Sequence, residues 1–257
     1  MPVRSLNAQW MLDDFHARIA ALAGIGDGDR VLDLGCGDGN GLRGLLARSG
    51  STGRVVAADR DGPSLATVRE IYAREIAEGR LSAIELDVAK TLPFASASFD
   101  AVVCQNVIEC IVDRHGMISE IHRVLRPGGA ALIGHHDFDG VLLASDDREF
   151  TRRLVHGYAD HVQQWQDVSE GQMGRLLPGL LAGGPFGEVD TETLLFVDLA
   201  LSKDSYARRH LDDMVAQSKQ FGVSSEAARL WLQALEARSN AGQFYYALPW
   251  TYVVARV

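Results

Sequence analysis

Cysteine is scarce in this chain of 257 residues, where Cys36, Cys104 and Cys110 are the whole set. None stands in a C-x-x-C pair or beside a histidine at metal-ligand spacing, so no metal site is assigned. An odd, sparse set of thiols suits a reducing compartment. Long apolar runs are missing as well: no stretch reaches the ~18 residues that a membrane span needs. The segment from Met1 to Asp14 lacks the basic start and apolar stretch of a signal peptide, which points to the cytoplasm and away from a membrane partner. Basic charge is also in deficit, since 25 Lys and Arg against 34 Asp and Glu give a net charge of -9. Surfaces that track nucleic acid are usually basic, so DNA or RNA is not the expected partner.

Apolar residues make up 47% of the chain and charged residues 23%, an ordinary balance for a protein with a buried core. The length fits one α/β domain over residues 1–257 that carries an insertion. Met11, Phe15, Ile19 and Leu22 recur at helical spacing and predict a helix over Trp10 to Leu22. Apolar runs at 30–34, 54–58, 81–86, 99–104 and 130–135 alternate with helical patterns at 41–48, 63–78 and 117–125. Near-continuous apolar strands alternating with helices predict a mostly parallel sheet covered on both faces. Residues 25–140 form this core, 141–186 read as a helical lid, and 187–257 as terminal strands with two inserted helices. Strands at 189–199 and 244–257 bring the expected sheet to seven, in a Rossmann-like three-layer sandwich.

Within the core, Val31-Leu32-Asp33-Leu34-Gly35-Cys36-Gly37-Asp38-Gly39 places an acid on a strand before a G-x-G-x-G turn. Glycines let the backbone approach a ligand closely and take left-handed torsions. Further acids follow the next two strands, at Asp59 and Asp87. Leu92-Pro93-Phe94 runs on to Ser98-Phe99-Asp100, and Glu120-Ile121-His122-Arg123-Val124-Leu125 leads into Arg126-Pro127-Gly128-Gly129. Together these segments resemble the class I S-adenosylmethionine-dependent methyltransferases, over residues 25–135 and nearest to the ubiquinone and menaquinone biosynthesis branch. The C-terminal order of strand, two helices and the glycine-aromatic Gly242-Gln243-Phe244-Tyr245 is similar to bacterial small-molecule members.

That resemblance implies S-adenosylmethionine as cofactor. Asp33 with Gly35, Cys36 and Gly37 would hold its amino-acid end. Asp59, followed by Arg60, would take the ribose hydroxyls, and Asp87 with the Val88 amide the adenine. Gln105, with Cys104 and Asn106 at the end of the fourth strand, would border the sulfonium. Gly39-Asn40-Gly41-Leu42-Arg43-Gly44 also fits a dinucleotide fingerprint, but its first glycine stands four residues past the turn. A nicotinamide-dependent oxidoreductase is therefore the alternative, and a catalytically silent cofactor-binding partner protein is another.

His135 and His136 end the fifth strand, where relatives carry an acid or amide before proline, and they are the candidate general bases for an acceptor that must lose a proton. Successive strand residues point to opposite sides, so at most one is expected to face the acceptor. Asp137 or Asp139 would orient the base or cap the next helix. Among His156, Tyr158, His161, Trp165 and Met173 of the lid and Phe244, Tyr245, Tyr246 and Trp250 near the last strand, Trp165 and Tyr245 are the candidate substrate residues. The expected partner is a small-molecule methyl acceptor, with a homodimer as a further expectation; the amphipathic stretch around Leu230, Trp231 and Leu235 reads as either lid packing or a dimer surface.

Overall fold

The computed structural model describes residues 8–163 and 166–257, with residues 8–14 given as backbone alone. Helix α1 (Ala8–Leu22) leads into β1 (Arg30–Leu34), α2 (Leu42–Ser49) and β2 (Arg54–Asp59). The helix expected over 63–78 is two, α3 (Gly62–Ile71) and α4 (Ala73–Ala77). Between them Tyr72 leaves helical torsions and donates its hydroxyl to the Gly39 carbonyl at 2.9 Å. There follow β3 (Leu81–Glu85), β4 (Phe99–Gln105), α5 (Arg114–Val124) and β5 (Leu125–His136). The rest comprises β6 (Leu142–Leu143), α6 (Arg148–Asp160), α7 (Met173–Ala182), β7 (Glu188–Asp198), α8 (Tyr206–Gln217), α9 (Ser225–Asn240) and β8 (Tyr246–Arg256).

Strand order is β3-β2-β1-β4-β5-β8-β6, with β7 also paired to β8. Pairings among β1 to β5 are parallel and β6 meets β8 antiparallel. Among the described residues the sheet thus has eight strands rather than seven. The extra one, β6, has two residues, too few to carry a period-two pattern.

Two compact units divide the chain. The first takes Leu12–His135, Leu176–Glu192 and Tyr252–Val257; the second takes His136–Arg175 and Thr193–Thr251 with the first turn of α1. The segment 141–186 expected as one lid is therefore shared between them, parting after Arg175.

In the first unit Val31, Leu32 and Leu34 of β1, Val55 and Ala57 of β2, Val102 and Val103 of β4, and Leu132 and Ile133 of β5 are at most 1% exposed. Burying each larger aliphatic chain favours folding by about 1.5–3 kcal/mol before entropy is counted. The motifs before β4 and β5 are tied to each other. Arg123 on α5 grips both carboxylate oxygens of Glu120 at 2.7 Å and donates to the carbonyls of Phe94 at 2.7 Å and Leu92 at 2.9 Å. Glu120 in turn accepts from the Leu92 amide at 2.8 Å. Asp100 accepts from the Arg30 amide and pairs with Arg126. These residues fasten the strands, and their spacing reflects that structural work.

The second unit has its own core, in which Leu154, Leu211, Met214, Trp231, Leu235 and Leu248 are buried together. Trp231 and Leu235 are thus interior, while Leu230 beside them is 59% exposed. Side chains of Asp147, Ser205 and Ser224 cap α6, α8 and α9, each contributing about 1 kcal/mol. The Trp231 indole N–H donates to Thr151 Oγ1 at 2.8 Å, joining α9 to α6. No helix among the described residues is long and apolar enough to cross a membrane.

Candidate active site

β1 stands between β2 and β4, and the chain leaves it in opposite directions to build the two halves of the sheet. That point is where open α/β sheets bind ligands, beyond the carboxyl ends of the strands. The turn after β1 is built for the position. Gly35 has φ +75°, and a Cβ there would come within 2.2 Å of Val107 Cγ2. Its amide and that of Cys36 donate to the Ala58 carbonyl at 2.8 and 3.1 Å, folding the turn toward the end of β2. Gly37 has φ +51°, and a Cβ on it would meet nothing within 4 Å, so open space lies beside the turn.

Asp59 shapes the next part. Its Oδ2 accepts from the Gly37 amide at 2.8 Å and its Oδ1 from the Asp61 amide at 2.9 Å. Each carboxylate oxygen keeps a further lone pair for a ligand hydroxyl. Asp33 on β1 is 5% exposed. Burial first, and repulsion from Asp59 second, push its carboxyl up to about 7. Such an acid sits unrelieved until a cation arrives. Asp87 follows β3; its Oδ1 accepts from the Ala89 amide at 3.1 Å and its Oδ2 meets Lys90 Nζ at 3.1 Å. The Ala89 amide, Lys90 and the nearby Arg60 hold it below the usual carboxylate range. Val88 beside it is buried.

A second feature faces the turn. A Cβ built on Gly41 would lie 3.6 Å from His16 Nδ1 and 3.8 Å from both Asp33 Oδ2 and Gln105 Nε2. Polar atoms from α1, β1 and β4 thus border one small cradle that any larger residue would fill. Gln105 Oε1, on the same amide, is buried with no hydrogen-bond partner among the described residues. An ammonium group fits this set through the Asp33 carboxylate, to which it would donate. The residues present therefore suit the amino-acid end of S-adenosylmethionine. Gly44, the last glycine of the displaced dinucleotide match, packs against α1 instead, its Cβ position lying 2.6 Å from the His16 carbonyl oxygen.

Burial, followed by Asp33, pushes both Cys36 and Cys104 well above the ordinary thiol range, and they stay protonated.

The two histidines part company at the unit boundary, as alternation along a strand requires. His135, fully buried in the first unit, sets Nε2 2.7 Å from Oε2 of Glu109, which lies on a single helical turn after β4. Burial works to raise the Glu109 carboxyl, but His135 and the Cys110 thiol outweigh it and hold the group below its ordinary value. Sequence reasoning passed over Glu109. The available signal was an acid between Ile108 and Cys110, in a run whose neighbours demand burial.

His136, 3% exposed and in the second unit, places Nε2 3.0 Å from the Tyr206 hydroxyl and its ring centroid 3.7 Å from that of Trp250. Asp137 orients no histidine: Arg175 grips both of its oxygens at 2.6 Å and reaches Asp139 at 3.2 Å. Tyr245 lines a groove of about 400 Å³ with Leu142, Leu143, Arg148 and Arg152. Trp165 lies outside the described residues.

A glycine turn and three acids thus stand at the rim of a parallel sheet in an α/β protein. Residues 32–133 match the family model described as "Methyltransferase domain". An uncharacterized 37.1 kDa protein in transposon TN4556 of Streptomyces fradiae is 30% identical over 96% of this chain and 65% of its own length. The ubiquinone/menaquinone biosynthesis C-methyltransferase UbiE of Chromobacterium violaceum is 33% identical over 43% of this chain and 44% of its own. The chain thus spans less than two thirds of the curated relatives it matches. The crystal structure of the YcgJ protein from Bacillus subtilis superposes with a TM-score of 0.61 at 17% identity, over 95% of this chain and 98% of that one, a likeness of fold.

Proposed function

We propose that this protein transfers a methyl group from S-adenosylmethionine to an oxygen, nitrogen or carbon atom of a small molecule, a specialised metabolite or quinone-like compound. The observation that carries the reading is the unrelieved Asp33, buried beside Asp59 at the Gly35–Gly37 turn and bordering the same cradle as Gln105. The quinone methyltransferases among the relatives support an acceptor of small size.

The cofactor supplies a methyl group on sulfonium sulfur, which an acceptor lone pair attacks as the carbon–sulfur bond breaks and a thioether leaves. Asp33 would accept from the ammonium end, with Gln105 bordering it. Asp59 offers its remaining lone pairs to the ribose hydroxyls, while Gly35 and Gly37 keep the backbone clear for close approach. Asp87 and the Val88 amide receive the adenine, with Arg60 beside them. Orientation and exclusion of water are the main work, because the methyl donor is already activated.

Any proton an acceptor must lose falls to the histidines at the end of β5. His135 is committed to Glu109, which leaves His136, with Tyr206 at 3.0 Å, as the candidate base. Three free thiols support a cytoplasmic location, and the exposed Leu230 offers a contact for a homodimer. Incubating the protein with methyl-labelled S-adenosylmethionine and a panel of phenols, amines and quinols tests the reading. Label in an organic product is the expected result. A chain that binds the cofactor yet labels nothing across the panel would count against catalysis.

A further inference from the structure

The chain from β6 into α6 borders a concave groove of about 400 Å³, and every residue lining it belongs to the second unit. One side of the groove is apolar. Leu142 and Leu143 come from β6, Val141 from the turn before it and Tyr245 from the residue ahead of β8. The Ala144 amide donates to the Tyr245 carbonyl at 2.9 Å and holds the two segments side by side. Because β6 ends the strand order, no further strand covers it. Leu142 is accordingly 53% exposed and Tyr245 37%, so the apolar side of the groove meets solvent.

The other side is basic. Arg148 and Arg152 stand four residues apart on α6, which puts them on one helix face, and both line the groove. Neither has an ion pair or hydrogen bond among the described residues. The nearby cations are engaged elsewhere: Arg153 lies 5.2 Å from the Phe150 ring centre, and Arg238 pairs with Asp146. The nearby acids are engaged too. Asp146 holds Arg238, and Asp147 caps α6 by accepting from the Phe150 amide at 2.9 Å. Glu149 is not among the lining residues. Thr151, also on this side, donates its hydroxyl to the Asp147 carbonyl at 2.7 Å and accepts from the Trp231 indole. The two guanidiniums are therefore the unused polar groups of the groove, a local reversal of sign in a chain of net charge -9.

We propose that this groove binds a small anionic amphiphile, with a carboxylate or phosphate head held by Arg148 and Arg152 and an apolar body laid on Leu142, Leu143 and Tyr245. The proposal goes beyond the methyltransferase reading and does not depend on it. Guanidinium forks match the paired oxygens of a carboxylate or phosphate, and two on one helix face reach a single head together. Exposed charge pairs by themselves bind weakly, because water and salt screen them. Apolar area removed from water supplies the rest. Head and body are thus both required. A volume of about 400 Å³ suits one small molecule. A bilayer offers a flat surface that leaves a concavity unfilled, and the negative charge of the whole chain opposes approach to an anionic leaflet.

Calorimetry on the full chain tests this with octanoate, octyl phosphate, 1-octanol and acetate, each below the concentration at which it forms micelles. The better of the two anionic amphiphiles should bind at least tenfold tighter than octanol or acetate, more weakly as salt is raised, and its identity names the head. A chain carrying both Arg148→Gln and Arg152→Gln should lose at least tenfold for that probe and keep its affinity for octanol. Leu142→Ser should weaken the anionic probe and octanol alike, by about threefold. These three side chains are exposed, and circular dichroism checks that the variants keep the fold. Octanol binding as tightly as octanoate and octyl phosphate, undiminished anion binding in the double variant, or no binding of any probe would overturn the proposal. Binding to phosphatidylglycerol vesicles without binding of either monomeric anion would assign this face to a membrane and overturn it as well. S-adenosylhomocysteine titrated into the same chain reads the cofactor separately, and its failure to bind would strike the methyltransferase reading alone.

Discussion

His135 on β5 and Glu109 after β4 form a buried polar contact, Nε2 to Oε2 at 2.7 Å, in the same unit as the glycine turn. Removing one member strands the other away from water, which costs far more than an exposed pair would. Glu109→Ala is therefore expected to destabilise the protein by roughly 3 kcal/mol at pH 7. The Glu109 carboxyl is held below its ordinary value, so its contribution is present above about pH 4.5 and is lost as pH falls through the lower, folded-state value. Urea unfolding of wild type and variant at pH 7 and pH 4 reads both. A gap that persists undiminished at acid pH would show that ionisation of Glu109 is not its source.

Asp33 titrates with the opposite sign. Its carboxyl is raised from 3.8 to about 7 by burial and by Asp59, so the folded chain binds more protons than the unfolded one across that interval. Stability of the ligand-free protein should fall as pH rises from about 4 to 7, by an amount on the order of a few kcal/mol. Asp33→Asn removes that loss and should melt several degrees higher than wild type at pH 8, while binding S-adenosylhomocysteine at least tenfold more weakly. A variant that melts lower and binds as well as wild type would contradict both roles. Differential scanning calorimetry with and without ligand separates them.

Arg123 is a structural prediction. It joins α5 to the Leu92–Phe94 loop through carbonyls and a bidentate carboxylate. Because it is about a third exposed, solvent screens part of that network, and Arg123→Ala is expected to cost roughly 1–2 kcal/mol. Cofactor affinity should hold. A drop in affinity larger than the change in stability would place these residues at the ligand instead.

Much of the first unit was legible from residue order. Between their end residues β1, β2 and β4 carry no polar side chain except Asp33 and Asp100, and both have specific work. Acids at strand ends marked the rim, because side chains leaving a parallel sheet at its carboxyl edge share one side. The break at Tyr72 was hidden, since it depends on a hydroxyl reaching Gly39 from a distant segment. Glu109 was hidden for the same reason, as its partner stands 26 residues away in sequence. The second unit was least legible. His210 and Tyr206 read as ordinary positions on an amphipathic helix, and only the folded chain brings Phe138, Tyr158 and Phe196 against them.

Gly35→Ala tests the turn. The added Cβ would overlap Val107 Cγ2 at 2.2 Å and sit at φ +75°, a torsion that costs a non-glycine residue about 1–2 kcal/mol. Loss of S-adenosylhomocysteine binding with retained secondary structure is the expected result of calorimetry paired with circular dichroism. Binding at wild-type strength would mean that the turn does not touch the ligand.

The central claim is that Asp59, whose oxygens already accept from Gly37 and Asp61, also receives the ribose of a sulfonium nucleoside. Isothermal titration of S-adenosylmethionine into wild type and Asp59→Ala measures it directly. Saturable binding of one ligand per chain is expected in the wild type, and a loss of at least tenfold in the variant. No binding to the wild type, or equal binding to both, would contradict it.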